Sequence, residues 1–153
     1  INIHGGSLGP LESVCRSLRR KHGADGGLID VFTVMRDVSG VQFSTKNAPS
    51  GHASEMVTSV ALAKCPELVF MDRAQATPQL RAFTEGVKTV SSGKVSLGKS
   101  SFQVFSDISD YAPIGTQGDP TAATAEQGHQ VWDATVAYMT EATQKFSQMS
   151  FTA

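Results

Sequence analysis

Ile1-Asn2-Ile3-His4-Gly5-Gly6-Ser7 is the stretch on which the reading of the fold turns. Its apolar start runs straight into a histidine and two glycines, as the end of a strand runs into a tight turn. From Ser7 onward Leu8, Leu11, Val14, Cys15 and Leu18 recur at helical spacing, and Pro10 sits where a first turn tolerates it. Gly23 suits a C-terminal cap. Gly26-Gly27 then opens residues 28–35, Leu-Ile-Asp-Val-Phe-Thr-Val-Met, whose β-branched and aromatic content and near-continuous apolarity predict a buried strand. Strand, helix and strand in this order are the opening of a layered α/β domain, and function in such sheets gathers at the carboxyl ends of strands. His4 sits at one such end.

Residues 36–51 carry Ser, Asn, Pro and Gly with little periodicity, which predicts a loop with a short strand at 41–43. A second helix is expected over 53–64, stopping before Pro66 because the residue preceding proline disfavours helical geometry. Residues 67–120 read as short strands and turns. Asp119-Pro120 and then a capping box of Thr124 with Gln127 announce a terminal helix. Trp132, Val136, Met139 and Phe146, flanked by Val131, Tyr138 and Ala142, give that helix an apolar side and a length of about 20 to 25 residues, enough to pack across a sheet. The fold class expected is α/β, a three-layer α/β/α arrangement on a mostly parallel sheet that this chain alone leaves incomplete.

Composition narrows the function classes. The chain has 153 residues, 40% hydrophobic and 18% charged, with a formal net charge of -1. That is one domain, or part of one, with no overall field to draw it to nucleic acid or an anionic membrane. Arg16, Arg19, Arg20, Lys21 and His22 crowd one helix end, where cations complement the dipole; a solvated face is the plainer reading and an anion site the alternative. Cys15 and Cys65 lie far apart among apolar neighbours and read as free thiols. No apolar run approaches the ~18 residues of a membrane span, so a soluble, cytoplasmic protein is expected.

Two histidines stand where chemistry is feasible. His4 projects from a sheet edge, and Gly5-Gly6 lets backbone approach a ligand closely. His52, in Gly51-His52-Ala53-Ser54-Glu55, stands at a helix start, where free N–H groups favour developing negative charge. Glu55 in the first turn is either part of that site or a complement to the helix dipole. For each histidine the alternative is a hydrogen-bonded structural residue. His22 and His129 have no assigned role, and His4-Gly5-Gly6-Ser7-Leu8-Gly9 lacks the spacing of a phosphate or dinucleotide loop.

Three stretches together resemble the creatininase (creatinine amidohydrolase) family. Asn2-Ile3-His4-Gly5-Gly6-Ser7 is similar to its Asn-Gly-His-Gly-Gly-Asn motif. Gly51-His52-Ala53-Ser54-Glu55-Met56-Val57-Thr58-Ser59, continued by Pro66-Glu67-Leu68-Val69-Phe70-Met71-Asp72, is similar to its His-Ala-Gly-Glu-x-Glu-Thr-Ser motif. Tyr111, Pro113, Gly115 and Gly118-Asp119-Pro120-Thr121-Ala122-Ala123-Thr124-Ala125-Glu126 with Gly128 resemble its closing loop and final helix start.

The resemblance implies hydrolysis of a small or cyclic amide by a water activated on one or two divalent ions of zinc, manganese or iron. It makes His4 a metal ligand, puts His52 and Glu55 in catalytic positions, and lines the substrate with Gly5, Gly6 and Ser7. It also implies that residues 1–153 are the C-terminal part of a single domain. The family's further ligands, a Glu-x-His motif and an Asp, lie in an N-terminal half with no counterpart here. The expected partners are therefore an N-terminal fragment of the same precursor, retained after proteolytic processing, and other copies in a homo-oligomer. Three departures weigh against full activity: Ile3 stands for a Gly, Ser7 for an Asn, and Val57 for a Glu that is commonly functional. A structural or regulatory relative, or a changed reaction such as cyclisation, are the alternatives.

Overall fold

Helix α1 (Leu8–His22) follows a single 3-10 turn at Gly5–Ser7, and ends where the sequence predicts. Gly23 takes φ 64, in the left-handed region that glycine enters without steric cost, and its N–H donates to the Arg19 carbonyl at 3.0 Å. The computed structural model describes residues 1–44, 51–77, 84–91, 93–105, 107–110 and 112–151. Tyr111 of the closing motif and residues 45–50 of the expected loop lie outside them.

The strand expected over 28–35 is instead a short bridge and a helix. Asn2 pairs in parallel with Asp30 alone, its N–H donating to the Ile29 carbonyl at 2.7 Å and its carbonyl accepting from Val31 at 2.9 Å. The chain then turns into α2 (Val31–Val38). The Asp30 side chain accepts from the Thr33 N–H at 3.2 Å and the Thr33 hydroxyl at 2.7 Å, an N-cap that stops the extended run. Val31, Val34, Met35 and Val38 stand at i, i+3, i+4 and i+7, so the apolar run carries a helical stripe as well as a strand's composition. Val34 and Met35 are buried.

Helix α3 (Glu55–Lys64) starts two residues later than expected, because Ala53 adopts φ 47, which a right-handed helix cannot include. Ser54 caps it, its hydroxyl accepting from Val57 N–H, and Cys65 ends it before Pro66. No strand forms at 41–43. Strands β1 (Val87–Ser91), β2 (Lys94–Leu97) and β3 (Ser100–Gln103) form an antiparallel sheet in the order β1-β2-β3. Val95 stands opposite Thr89 on one side and Phe102 on the other, and its side chain is fully buried. The mostly parallel sheet expected from the sequence is thus not what the described strands build. Gly93 and Gly98, at φ 67 and 58, connect neighbours through tight turns too short for a parallel crossover.

Helix α4 (Ala125–Ser147) has the expected length and start. The Gln127 N–H donates to the Thr124 hydroxyl at 3.2 Å, and that hydroxyl donates to Gln127 Oε1 at 3.1 Å. Its buried stripe differs from the expected one: Val131 and Thr135 are buried, whereas Trp132 and Val136 are partly exposed. Thr135 tolerates burial because its hydroxyl donates to the Val131 carbonyl at 2.6 Å.

The chain divides into two compact units, residues 1–41 with 130–153, and residues 42–129. The first buries Asn2, Val34, Met35, Val131 and Thr135. The second buries Met56, Val95 and Ala112 beside a polar set of Ser54, Glu55, Thr58, Ser59, Thr116 and Gln117. Cys15 and Cys65 are free thiols, both half-buried. Among the described residues no helix is long and apolar enough to cross a membrane.

Candidate functional site

In the first unit the His4 turn rests on a buried amide. Asn2, 3% exposed, donates from Nδ2 to the His4 carbonyl at 2.8 Å and accepts the His4 N–H on Oδ1 at 3.3 Å. The same Nδ2 reaches Asp30 Oδ1 at 3.4 Å, and Asp30 is itself held by Thr33. Both backbone polar groups of His4 are thereby tied to one side chain, leaving the residue exposed on a fixed turn. The imidazole lies over Gly6, where an added Cβ would come within 3.1 Å of the ring carbon Cε1. Gly5 has open space around it and Ser7 is half-buried. Asn2 and Asp30 had no assigned role in the sequence reading; the Asp30-x-x-Thr33 capping pattern was the signal available for the second.

The basic stretch of α1 carries two ion pairs among the described residues. Arg16 pairs with Glu12 and Arg19 with Asp25, around an open cleft of about 380 Å³ that Cys15 and Phe151 also line.

In the second unit His52 is exposed on the turn that precedes α3. The Ser54 N–H donates to the Gly51 carbonyl at 3.1 Å, and the Gln117 N–H donates to the His52 carbonyl at 2.7 Å. Gly51 is required here by close approach: a Cβ would fall 2.4 Å from the Gln117 carbonyl oxygen and 2.5 Å from its Cβ. Gly51→Ala is therefore expected to displace the His52 turn from residue 117 and lower stability by about 1–3 kcal/mol, the usual range for overpacking. Thermal unfolding checks it, and an unchanged midpoint would show that the turn yields without cost.

Glu55 follows at once and is 1% exposed. Its Oε1 accepts from the Ser44 N–H at 3.2 Å and from Gln127 Nε2 at 3.5 Å, and its Oε2 accepts from the Ser44 hydroxyl at 2.9 Å. These bonds to one carboxyl group join residue 44, the first turn of α3 and the first turn of α4. Val57, where the family motif has Glu, is half-buried on α3.

His4 belongs to one unit, and His52 and Glu55 to the other. Among the described residues no three of His, Cys, Asp and Glu come together in a group able to hold a metal ion. A stable site generally needs three or more protein ligands, so these residues do not by themselves fit the metal centre that the resemblance implies.

No curated protein and no solved structure matches the chain. The family model described as creatininase, creatinine amidohydrolase, matches residues 1–143 of the 153. A match of that extent, carrying both histidine turns within it, means that the chain belongs to the creatininase family.

Proposed function

We propose that the chain is part of a hydrolase of a small or cyclic amide, completed by an N-terminal segment of the same precursor. Family membership implies metal-dependent amidohydrolase-type activity. The observation that carries the reading is that both motif histidines are exposed on turns whose backbones are pinned by buried polar groups, Asn2 for His4 and Gln117 for His52. Histidines carried on exposed turns with pinned backbones are what positioned proton transfer or ligation needs.

In amide hydrolysis a water oxygen adds to the carbonyl carbon, the C–N bond breaks, and the departing nitrogen takes a proton. His52 is the group proposed to move that proton or to polarise the carbonyl. Glu55 holds the first turn of α3 behind it, and Gly5, Gly6 and Ser7 are proposed to line substrate, with open space at Gly5. His4 is proposed as one ligand of a zinc, manganese or iron centre whose other ligands come from the N-terminal segment. That segment would also complete a three-layer α/β/α fold on a mostly parallel sheet, in a cytoplasmic homo-oligomer. Ile1 and Ile3, 74% and 72% exposed on either side of the buried Asn2, support a further layer packing there.

The test is the complete protein assayed with manganese or zinc against a panel of lactams and small amides. His52→Ala is expected to lower kcat/KM by about 100-fold or more, the lower range for loss of a positioned acid–base group, and His4→Ala is expected to lower both activity and metal content. Absence of any activity sensitive to either change sinks the reading. Val57 favours a second one, a relative that keeps the fold as a structural or regulatory subunit, because a carboxylate commonly functional in the family is missing there. A folded, metal-free and inactive complete protein would support that second reading.

A further inference from the structure

We infer that Thr77 is a positioning residue for His52, acting through residues 116–118. The inference rests on the functional reading of His52 given above.

The bond from the Ser54 N–H to the Gly51 carbonyl does not hold the His52 turn by itself. Ala53 carries a left-handed φ of 47, a conformation that a residue with a Cβ keeps only when its surroundings impose it. What imposes it is Gln117, whose N–H bonds the His52 carbonyl and whose main chain presses against Gly51 with no space for a Cβ. Gln117 and its neighbour Thr116 are buried, 5% and 9% exposed.

Among the described residues Thr77 grips that segment on both sides of Gln117. The Thr77 hydroxyl donates to the Thr116 carbonyl and accepts the Gly118 N–H at 3.1 Å, while the Thr77 N–H donates to the Gly118 carbonyl at 2.8 Å. Three hydrogen bonds straddle Gln117, one before it and two after it. Gly118 takes φ 123, which only glycine adopts readily, so that its carbonyl and N–H both turn toward Thr77. A hydroxyl is needed because it alone serves as donor to residue 116 and acceptor from residue 118 together. Displacement of Thr77 would release Gln117, and with it the carbonyl of His52.

Amide hydrogen exchange on Thr77→Val and Thr77→Ser tests this in the full chain. Valine keeps the shape and removes the hydroxyl, and serine restores it. In Thr77→Val the Gln117 amide is expected to exchange at least about tenfold faster, with the Val95 amide of the sheet unchanged. In Thr77→Ser the Gln117 rate is expected to return to within about twofold of wild type. Unchanged Gln117 exchange in Thr77→Val, equal acceleration at Val95, or failure of serine to rescue overturns the inference.

The wild-type protein supplies an independent check should the valine variant not fold. Gln117 and Thr77 amides must show similar protection because they open together, and a freely exchanging Gln117 beside a protected Thr77 overturns the inference. If amide hydrolysis is found, Thr77→Val should lower kcat more than it raises KM, and Thr77→Ser should restore it. Exchange coupling without hydrolytic activity would leave the positioning role standing and remove only the proposed reaction.

Discussion

Gly128→Ala is expected to lower the melting temperature by roughly 2–8 °C, even though alanine is the better helix former by about 1 kcal/mol. Gly128 is buried in the first turn of α4, where that helix meets α3. A Cβ there would sit 1.9 Å from the Ser59 carbonyl oxygen, 2.4 Å from the Ser59 carbonyl carbon and 2.9 Å from Ala63 Cβ. Two of those atoms are backbone, so no side-chain rotation relieves the clash and the two segments must separate. Separation also strains the bond from the Thr124 N–H to the Ser59 hydroxyl, now 3.1 Å. Overpacking of this kind costs about 1–3 kcal/mol or more, which outweighs the gain in propensity. Thermal unfolding followed by circular dichroism decides it, and an equal or higher midpoint would mean that the two helices do not pack this closely.

Glu55→Ala should be as damaging, by about 3 kcal/mol, for the opposite reason. It leaves a void and removes a buried acceptor from the Ser44 N–H, the Ser44 hydroxyl and the Gln127 amide. Ser44 is exposed and can turn to water, so the loss falls short of three full charge-assisted bonds. Glu55→Gln keeps the volume and one acceptor oxygen, but faces an N–H₂ toward one of the donors. Its cost should be intermediate, about 1–2 kcal/mol. Denaturant unfolding of both variants gives the order, and a glutamine variant as stable as wild type would show that the carboxylate's second oxygen contributes nothing.

The site was legible in the sequence only in part. Gly51, His52 and Glu55 stand out in the sequence as a motif at a helix start, and His4 as a histidine at a turn. What surrounds them does not. Gln127 reaches Glu55 across 72 residues, Gln117 comes to the His52 turn from the far side of the unit's sequence, and Thr77 bonds Thr116 across 39 residues, while Ser44 stands 11 residues before Glu55. Their side-chain types are common on surfaces and carry no local signal. Residues 28–35 misled for a related reason: their apolar content suits a strand, while the Asp30 cap and the spacing of Val31, Val34, Met35 and Val38 suit a helix.

By itself the sequence determined the elements whose bonds are made within a few residues. Gly23 ends α1, Thr124 and Gln127 start α4, Pro66 stops α3, and the two histidine motifs announce the family. Tertiary structure alone decided which face of α4 is buried, why residues 51 and 128 must be glycine, and what holds His4 and His52 in place. Caps and propensities are set by neighbours along the chain, so they are written locally. Close approach and polar satisfaction depend on what the fold brings alongside, and a buried donor or backbone contact has no partner until the chain has closed around it.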